Sequence, residues 1–243
     1  MLRRLLVPSL CCGLIRLDDP QAHHARDVLR LGVGDPVELF APDGSVAFGV
    51  IESSDSREVW VRASAPVAAT STPLRLALGC AVPKGPRADW LVEKLGELGV
   101  DRFIPLLCDR SVVRAEGAAR LERWRRISGE ASRQSRRAGV MSVVAPVPLA
   151  TVLAGWRHEH DAALWLDADA RTPLADALPP AGSRLLALVG PEGGFSPAER
   201  DALAAAGLTA ASLGATILRV ETAAMACAAI VAGSSRKLAQ VRP

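Results

Sequence analysis

Apolar and polar positions in the first third of the chain follow the pattern of short β-strands. Pro36–Phe40 and Val46–Ile51 flank a turn at 42–44, and Glu58–Ala63 alternates between apolar and polar residues. Such alternation places one face of a strand on a core and the other face in solvent. Residues 1–72 are therefore predicted to form a small β-barrel.

The N-terminal segment of this unit allows two interpretations. Residues 1–15 carry two arginines followed by apolar residues, which faintly resembles a secretory signal. Pro8 interrupts the apolar stretch, however, and no small-residue cleavage site precedes a clear mature start. We therefore expect the segment to form the first strand of the fold. A short helix is predicted around Gln21–Leu31.

From residue 73 onward, predicted strands alternate with predicted helices. The preceding segment 64–73 is small, polar and flanked by proline, so it is the predicted linker. Strands are predicted at Leu74–Val82, Arg102–Leu107, Ser142–Val147, Ala162–Leu166, Arg184–Val189 and Thr209–Leu213, and helices at Arg87–Leu98, Ala118–Ala138, Ser196–Ala206 and Glu221–Ser234. This alternation predicts an α/β domain with a parallel sheet over residues 73–243.

Composition narrows the class of protein without identifying it. Of the 243 residues, 49% are hydrophobic and 23% are charged, which is ordinary for a packed chain. The longest apolar runs, such as Ala223–Ala232, are far shorter than the roughly 20 residues of a membrane span, so no membrane partner is predicted. Five cysteines, an odd number, indicate reduced thiols in a cytoplasmic protein. The four histidines lack the spacing of a zinc site, and no metal is predicted.

Positive charge is concentrated in the predicted helix at Ala118–Ala138. Between Arg120 and Arg137 there are seven arginines and only two acids, Glu122 and Glu130. A solvated helix face would have this composition. A phosphate-binding surface would also have it, and the planar guanidinium suits phosphate better than lysine does. The sequence leaves both interpretations open.

Two glycine-marked turns are candidates for a ligand site. The apolar strand Arg184–Val189 runs into Gly190-Pro191-Glu192-Gly193-Gly194, where backbone N–H groups can approach a ligand closely. A tight turn into a helix would look the same. In parallel sheets, ligands bind beyond the carboxyl ends of the strands, which is where this loop falls. The loop lacks the patterns of a P-loop and of a dinucleotide fold.

The second turn runs from Leu213-Gly214 to Ala223. Its apolar pair, Ile217 and Leu218, could wall an adenine pocket, and Arg219 and Glu221 flank the start of a helix. A strand exit with a surface ion pair would give the same residues.

These two runs carry a resemblance to a known family. The sequence resembles the RsmE family, uracil-N3 methyltransferases of 16S ribosomal RNA in the SPOUT superfamily. The matching runs are Leu188–Ser196 and Leu213–Ala223, with looser matches at Lys94–Val100 and at His24 followed by Val28-Leu29-Arg30. They extend over nearly the whole chain in the family's order.

The resemblance implies a fold, a cofactor and partners. It implies a small PUA-like β-barrel that helps to hold RNA, then a SPOUT-type parallel sheet with a C-terminal trefoil knot, an exception to the rule against threading. It implies S-adenosylmethionine as cofactor, the 16S ribosomal RNA of the small subunit as partner, and a homodimer. The predicted cofactor-binding residues, all but Leu166 in the two matching runs, are Leu166, Leu188, Gly190, Pro191, Glu192, Gly193, Gly194, Leu213, Gly214, Ile217, Leu218, Arg219, Thr222 and Ala223.

Some of the predicted RNA-binding residues lie where this sequence differs from the usual sequence of the family. Where the family usually has Glu-Gln-Ser-Gly-Arg in the long helix, this chain has 133–137, Arg-Gln-Ser-Arg-Arg, and Asp27 replaces a usual basic residue. These changes concern how RNA is gripped. The predicted RNA-binding residues are Arg30, Arg133, Gln134, Arg136 and Arg137.

Methylation of uracil N3 requires loss of the N3 proton and an unpaired or flipped base. A cation beside the developing imide anion or a general base beside the proton would help. Arg219 is the predicted cation. Glu221 is the predicted base, or else it orients Arg219. Two alternatives remain at this stage: a related methyltransferase acting on transfer RNA, and a non-catalytic RNA-binding protein.

Overall fold

The computed structural model describes residues 2–67, 74–112, 117–137 and 139–239, the last five of these by their backbone alone. The chain divides into two compact units, Met1–Ser71 with Ser132–Val140, and Thr72–Ala131 with Met141–Pro243. The predicted boundary after residue 72 stays a prediction, because residues 68–73 lie outside the described part of the chain, as does much of the predicted linker.

The first unit is built on a five-stranded sheet in the order β1-β3-β4-β5-β2, in which only the β1–β3 pair is parallel. The three internal strands lie where the alternation predicts them. The N-terminal segment forms two strands rather than one, because Pro8 has no N–H to continue the ladder. The strands are β1 (Arg3–Leu6), β2 (Gly13–Arg16), β3 (Pro36–Phe40), β4 (Val46–Ser54) and β5 (Val59–Ala63).

The helix of the first unit begins earlier than predicted. Helix α1 spans Asp19–His23 and is capped by the Asp18 side chain, which accepts a hydrogen bond from Gln21 N at 2.9 Å. It widens into a π-helical turn at His24–Val28 and ends at Arg30, whose φ of 56° is left-handed.

The second unit contains a sheet in which all neighbouring strands are parallel, in the order β12-β10-β11-β6-β7-β8, with β9 also paired to β7. The predicted parallel sheet is confirmed. The strands are β6 (Arg75–Ala81), β7 (Arg102–Leu107), β8 (Ser142–Val143), β9 (Val147–Pro148), β10 (Ala162–Leu166), β11 (Arg184–Val189) and β12 (Thr209–Ala211). The helices are α2 (Pro86–Glu97), α3 (Ala118–Ser135), α4 (Leu149–Glu159), α5 (Pro197–Ala205) and α6 (Val220–Ala239).

Strands of this sheet are buried on both faces. Along β11, Leu185, Ala187 and Val189 belong to a core shared with α2, α3 and α6, whereas Leu186 and Leu188 belong to a core shared with α4 and α5. Burial on both faces explains why the strand is a continuous apolar run and does not alternate. None of the described helices is long and apolar enough to cross a membrane.

Helix α4 was not predicted from the sequence. Its core-facing residues are Leu149, Val152, Leu153 and Trp156, an i, i+3, i+4, i+7 stripe that the sequence does contain. The predicted strand at Ser142–Val147 is also divided into two short strands around Pro146, which cannot donate to a ladder. The other predicted elements are present, with ends that differ by a few residues.

All five cysteines are free, in agreement with the predicted reduced thiols. Cys80 and Cys227 are buried in the core, and burial raises the pKa of Cys227 to about 12. Their thiols therefore stay neutral at physiological pH and act as small apolar side chains.

Candidate functional site

A cavity of about 310 Å³ lies at the carboxyl ends of β10 and β11, the position at which parallel sheets bind ligands. The volume is at the lower end of the range for small-molecule sites, about 300–1,000 Å³. Its walls are the end of β10 at Leu166, the loop 190–194 after β11, and the loop 213–218 before α6. The two glycine-marked turns of the sequence are thus brought together around one space.

The first loop is shaped by packing as well as by glycine freedom. A Cβ added to Gly190 would lie 3.1 Å from the Phe195 ring and 3.2 Å from Phe195 N, so this glycine makes room for a buried aromatic side chain. Gly194 has a φ of 69°, which disfavours other residues, and its N–H donates to Pro191 O at 2.8 Å. The two glycines are therefore needed for different reasons.

A neighbouring loop holds the first glycine loop in place. Arg110 Nη1 donates to Gly193 O at 2.6 Å. Ser196 Oγ donates to Asp109 Oδ2 at 2.6 Å, and the buried Glu199 accepts from Asp109 N at 2.9 Å and from Ser196 N at 2.8 Å. Ser196 and Glu199 form a capping box at the start of α5, which also fastens the end of the loop to the chain after β7.

The second loop presents apolar groups to the cavity. Leu213 and Leu218 are half-buried there, whereas the Ile217 side chain is 90% exposed. Gly214 has a φ of 146°, in the region that favours glycine. An apolar residue left this exposed beside a cavity is a surface that a ligand can cover.

Eleven of the fourteen predicted cofactor residues line the cavity. Leu188 does not, because it is fully buried in the core on the α4 and α5 side of the sheet. Thr222 and Arg219 are also absent from the lining, and Arg219 instead lines an adjoining groove. The lining residues that were predicted are Leu166, Gly190, Pro191, Glu192, Gly193, Gly194, Leu213, Gly214, Ile217, Leu218 and Ala223.

Sequence reasoning missed a charged side of the same cavity. Asp167 directly follows β10, and its carboxylate lies 3.3 Å from Arg200 Nη1. Asp167 is 12% exposed, and it also accepts from Asp169 N at 3.0 Å. Its place at a strand's carboxyl end was the available signal. The other missed lining residues are Ala168, Asp169, Val189, Phe195, Arg200, Ala211, Thr216 and Val220.

Glu221 lies in a different environment from the one predicted. Its carboxylate is 7% exposed and pairs with Arg87 of α2, Nη1 to Oε1, at 3.1 Å. The Arg87 guanidinium also lies 3.6 Å from Glu192 of the first glycine loop. Among the described residues, no hydrogen-bond partner is found for Glu221 Oε2. The predicted roles of Glu221 and Arg219 stay predictions, but the cation next to Glu221 is Arg87.

The arginines of α3 are largely engaged in ion pairs of the second unit. Arg123 lies 2.6 Å from Asp89, and Arg125 lies 2.6 Å from Glu122. Both side chains nevertheless stay more than half exposed, at 60% and 51%. The pairs agree with a solvated face and leave the guanidinium groups open to phosphate.

Within the first unit, the predicted RNA-binding residues near the end of α3 are held by backbone contacts. Arg136 has a left-handed φ of 56° and donates to Leu2 O at 3.0 Å, and the buried Arg4 donates to Arg137 O at 3.1 Å. Gln134 and Arg30 are exposed. Arg30 and Arg136 are the two non-glycine residues with positive φ among those described. Backbone held in this conformation is typical of functional positions.

Comparison with known proteins identifies the family. Residues 70–232 match the model of an RNA methyltransferase domain, and residues 17–64 match that of an RNA methyltransferase PUA domain. The chain belongs to the RNA methyltransferase family. The predicted resemblance to the RsmE family, the PUA-like character of the first unit and the enzyme class are confirmed.

Relatives match over most of their length. Ribosomal RNA small subunit methyltransferase E of Mycobacterium tuberculosis is 31% identical over 214 residues, which are 86% of this chain and 82% of that protein. The Bacillus subtilis protein of the same name is 28% identical over 218 residues, 84% of this chain and 83% of that protein. The structure of the Neisseria gonorrhoeae protein of that name, bound to S-adenosylmethionine, superposes with a TM-score of 0.84 at 28% identity over 98% of both chains.

Proposed function

We propose that this chain transfers a methyl group from S-adenosylmethionine to N3 of a uracil in 16S ribosomal RNA of the small subunit. The observation that carries the proposal is the cavity at the carboxyl ends of β10 and β11. Its walls are the two sequence runs that resemble the uracil-N3 family. Relatives named for the small-subunit ribosomal RNA cover most of the chain.

The residues of the cavity fit S-adenosylmethionine chemically. The apolar groups of Leu166, Leu213 and Leu218 would bind the adenine ring. The glycine loop brings backbone groups to the ligand without side chains in between, and the Asp167 carboxylate would accept from hydroxyl groups. When bound, the cofactor supplies a methyl group on a sulfonium. The protein's residues hold it and exclude water.

The groove next to the cavity is the proposed place of the target base. Arg219 lines it, together with Ile217 and Leu218, which also line the cavity. A guanidinium here would stabilise negative charge on the imide as N3 loses its proton. Much of the rate would come from aligning N3 with the methyl group.

RNA would be gripped by the predicted set Arg30, Arg133, Gln134, Arg136 and Arg137. Replacing Arg133, Arg136 and Arg137 together by alanine is expected to weaken RNA binding and flatten its salt dependence, by about 0.7 in log–log slope for each lost phosphate contact. Since Arg136 also holds Leu2 O, thermal unfolding must show that the variant is folded. Arg157→Ala on α4 is a control for general loss of positive charge. An unchanged slope would assign these residues to a solvated face.

Further features belong to the proposal. We place the domain boundary after residue 72 and a trefoil knot in the C-terminal part, where the chain leaves the edge strand β12 and α6 packs on the central strands β6 and β11. We also propose a homodimer, because the apolar helix α6 leaves Ala229 exposed and Ile230 half-exposed. Light scattering that gives the mass of one 25.5-kDa chain, with and without cofactor, would exclude the dimer. The enzyme would act in the cytoplasm with its ribosomal substrate.

Mass mapping of RNA from a deletion strain tests the function directly. One uracil of 16S ribosomal RNA is expected to lose a single methyl group, and a plasmid copy of the gene should restore it. Loss from a transfer RNA instead would identify a related methyltransferase. No methyl loss in any RNA, with cofactor binding absent by calorimetry, would indicate a non-catalytic RNA-binding protein.

A further inference from the structure

An open groove adjoins the cofactor cavity and carries two guanidinium groups. It is lined by Arg87, Glu192, Ile217, Leu218 and Arg219, three of which also line the cavity. Ile217 offers an almost fully exposed apolar side chain to a planar ring. The groove therefore combines an apolar surface with two guanidinium groups and one carboxylate, that of Glu192. The following inference rests on the proposed function.

Arg87 connects this groove to a buried acid. Its side chain is 39% exposed, and its guanidinium lies 3.1 Å from Glu221, whose side chain is 7% exposed. The same guanidinium lies 3.6 Å from the exposed Glu192. Glu221 does not line the groove, whereas Arg87 does. A general base must reach the proton that it removes, so the geometry favours Glu221 as the support of Arg87 over Glu221 as the base.

We infer that Arg87 contacts the target uracil as a second cation beside Arg219, and that Glu221 is the positioning residue that holds Arg87. N3 forms its bond to the methyl carbon as that carbon's bond to sulfur breaks, and the N3 proton passes to water. The negative charge that develops is shared by the carbonyl oxygens O2 and O4 on either side of N3. Guanidinium N–H groups aimed at these oxygens stabilise that charge.

The same arrangement selects the base. Uracil presents an acceptor on each side of N3, whereas cytosine presents an amino donor at C4. A guanidinium has donors only, so cytosine would leave a donor facing a donor. Arg87 is held in place by the buried carboxylate of Glu221. If Arg87 turned away to relieve that clash, it would leave this carboxylate buried and unpaired.

Single-turnover rates on small-subunit ribosomal RNA, with cofactor saturating, test the role of Arg87. Arg87→Ala is expected to lower the rate at neutral pH by about 100-fold, the size of effect seen when one donor to a developing anion is removed. The loss should shrink at alkaline pH, where N3 ionises unaided, and Arg87→Lys should recover part of it. Calorimetry should show cofactor affinity within about threefold of the wild type, a change worth under 1 kcal/mol.

A double-mutant cycle tests the role of Glu221. If Glu221 acts through Arg87, the rate of the Arg87→Ala/Glu221→Gln double variant should equal that of Arg87→Ala within about twofold. If Glu221 is an independent base, the two losses multiply. The pair Arg184→Ala and Asp161→Asn, at the amino ends of β11 and β10, is the matched control and should leave the rate unchanged.

The outcomes separate this inference from the proposed function. A wild-type rate for Arg87→Ala, multiplying losses in the cycle, or a cofactor affinity that falls as far as the rate would each overturn the inference. A wild-type protein that leaves small-subunit ribosomal RNA unmethylated would overturn the proposed function instead. Thermal unfolding of every variant shows whether each is folded before its rate is interpreted.

Discussion

Strand β10 has an aspartate at each end, and the two are built into different surroundings. Asp161 directly precedes the strand, is 49% exposed and lies 2.9 Å from Arg184. Asp167 directly follows the strand, is 12% exposed and lies 3.3 Å from Arg200. The residue types and the pairing are the same at both ends. The second carboxylate also lines the cavity between the two glycine-marked loops.

The difference indicates which charges serve the fold and which serve a ligand. Asp161 accepts from both the side chain and the backbone N–H of Arg184, and it is solvated as well. Such exposed pairs contribute little and cost little. At the carboxyl end, Asp167 and Glu221 are withdrawn from water, which is costly unless the charge is paired, as both are here with an arginine. Partly buried charge beside a cavity is typical of a functional site.

The largest expected effect concerns the carboxyl end of the sheet and is a loss of methyl transfer in Arg219→Ala. We predict a loss of methyl transfer of about 100-fold or more at neutral pH, with the fold and most of the cofactor affinity retained, because Arg219 lines the groove and not the cavity. The loss should be smaller at alkaline pH, where N3 ionises without help. Single-turnover rates across pH measure this. A loss that does not vary with pH would indicate that Arg219 positions the base and does not stabilise its charge.

A smaller effect, on binding, is expected from Gly194→Val. The φ of 69° at this position disfavours a branched residue by about 1–3 kcal/mol, so we predict cofactor affinity lower by roughly tenfold to 100-fold. Gly155→Val on α4 is the matched control, because an added Cβ there meets nothing within 4 Å. Calorimetry on both folded variants is the measurement. Wild-type affinity in Gly194→Val would mean that the loop is not part of the cofactor site.

At the carboxyl end of the sheet, the strands and loops could be predicted from the sequence better than the ion pairs. Glycine marks a loop because few other residues allow its backbone, and apolar runs mark strands because both faces are buried, so Arg184–Val189 and the loop after it could be read directly. An ion pair leaves no such trace. Arg87 and Glu221 are 134 positions apart, and neither local pattern nor spacing brings them together.

Packing also decided what the glycines do. The sequence predicted Gly190 and Gly194 as one ligand-binding feature, but Gly190 makes room for Phe195 whereas Gly194 adopts a positive φ. Helix α4 was missed although the sequence carries its pattern. Its apolar stripe, Leu149, Val152, Leu153 and Trp156, has helical spacing, but only its two end residues are fully buried.

A further prediction compares the two aspartates directly. Asp167→Asn should lower cofactor affinity by about tenfold, as expected for the loss of a charge-assisted hydrogen bond to the ligand. Asp161→Asn should leave the affinity unchanged, because its side chain lies at the opposite end of the strand. Calorimetry on the two variants under identical conditions gives the comparison. Equal affinities would show that Asp167 only pairs with Arg200, and that this ion pair stabilises the fold without binding the cofactor.

The smallest expected effect is on thermal stability and concerns Asp161, at the amino end of β10. The hydrogen bonds from the Arg184 side chain and backbone lower the pKa of Asp161 from 3.8 to about 2. A depressed carboxylate pKa stabilises the fold above the unfolded pKa, and that contribution is lost as pH falls through the folded pKa. The melting temperature of Asp161→Asn should therefore lie slightly below that of the wild type from neutral pH down to about pH 4. The gap should close between about pH 4 and pH 2, and added salt should narrow it throughout because the pair is exposed. Thermal unfolding of both proteins across this range is the measurement, with Arg184→Ala as a second way of removing the pair. A gap that persists undiminished at pH 2 would mean that asparagine disturbs the start of β10 by its shape, and that the charge of Asp161 contributes nothing to the fold.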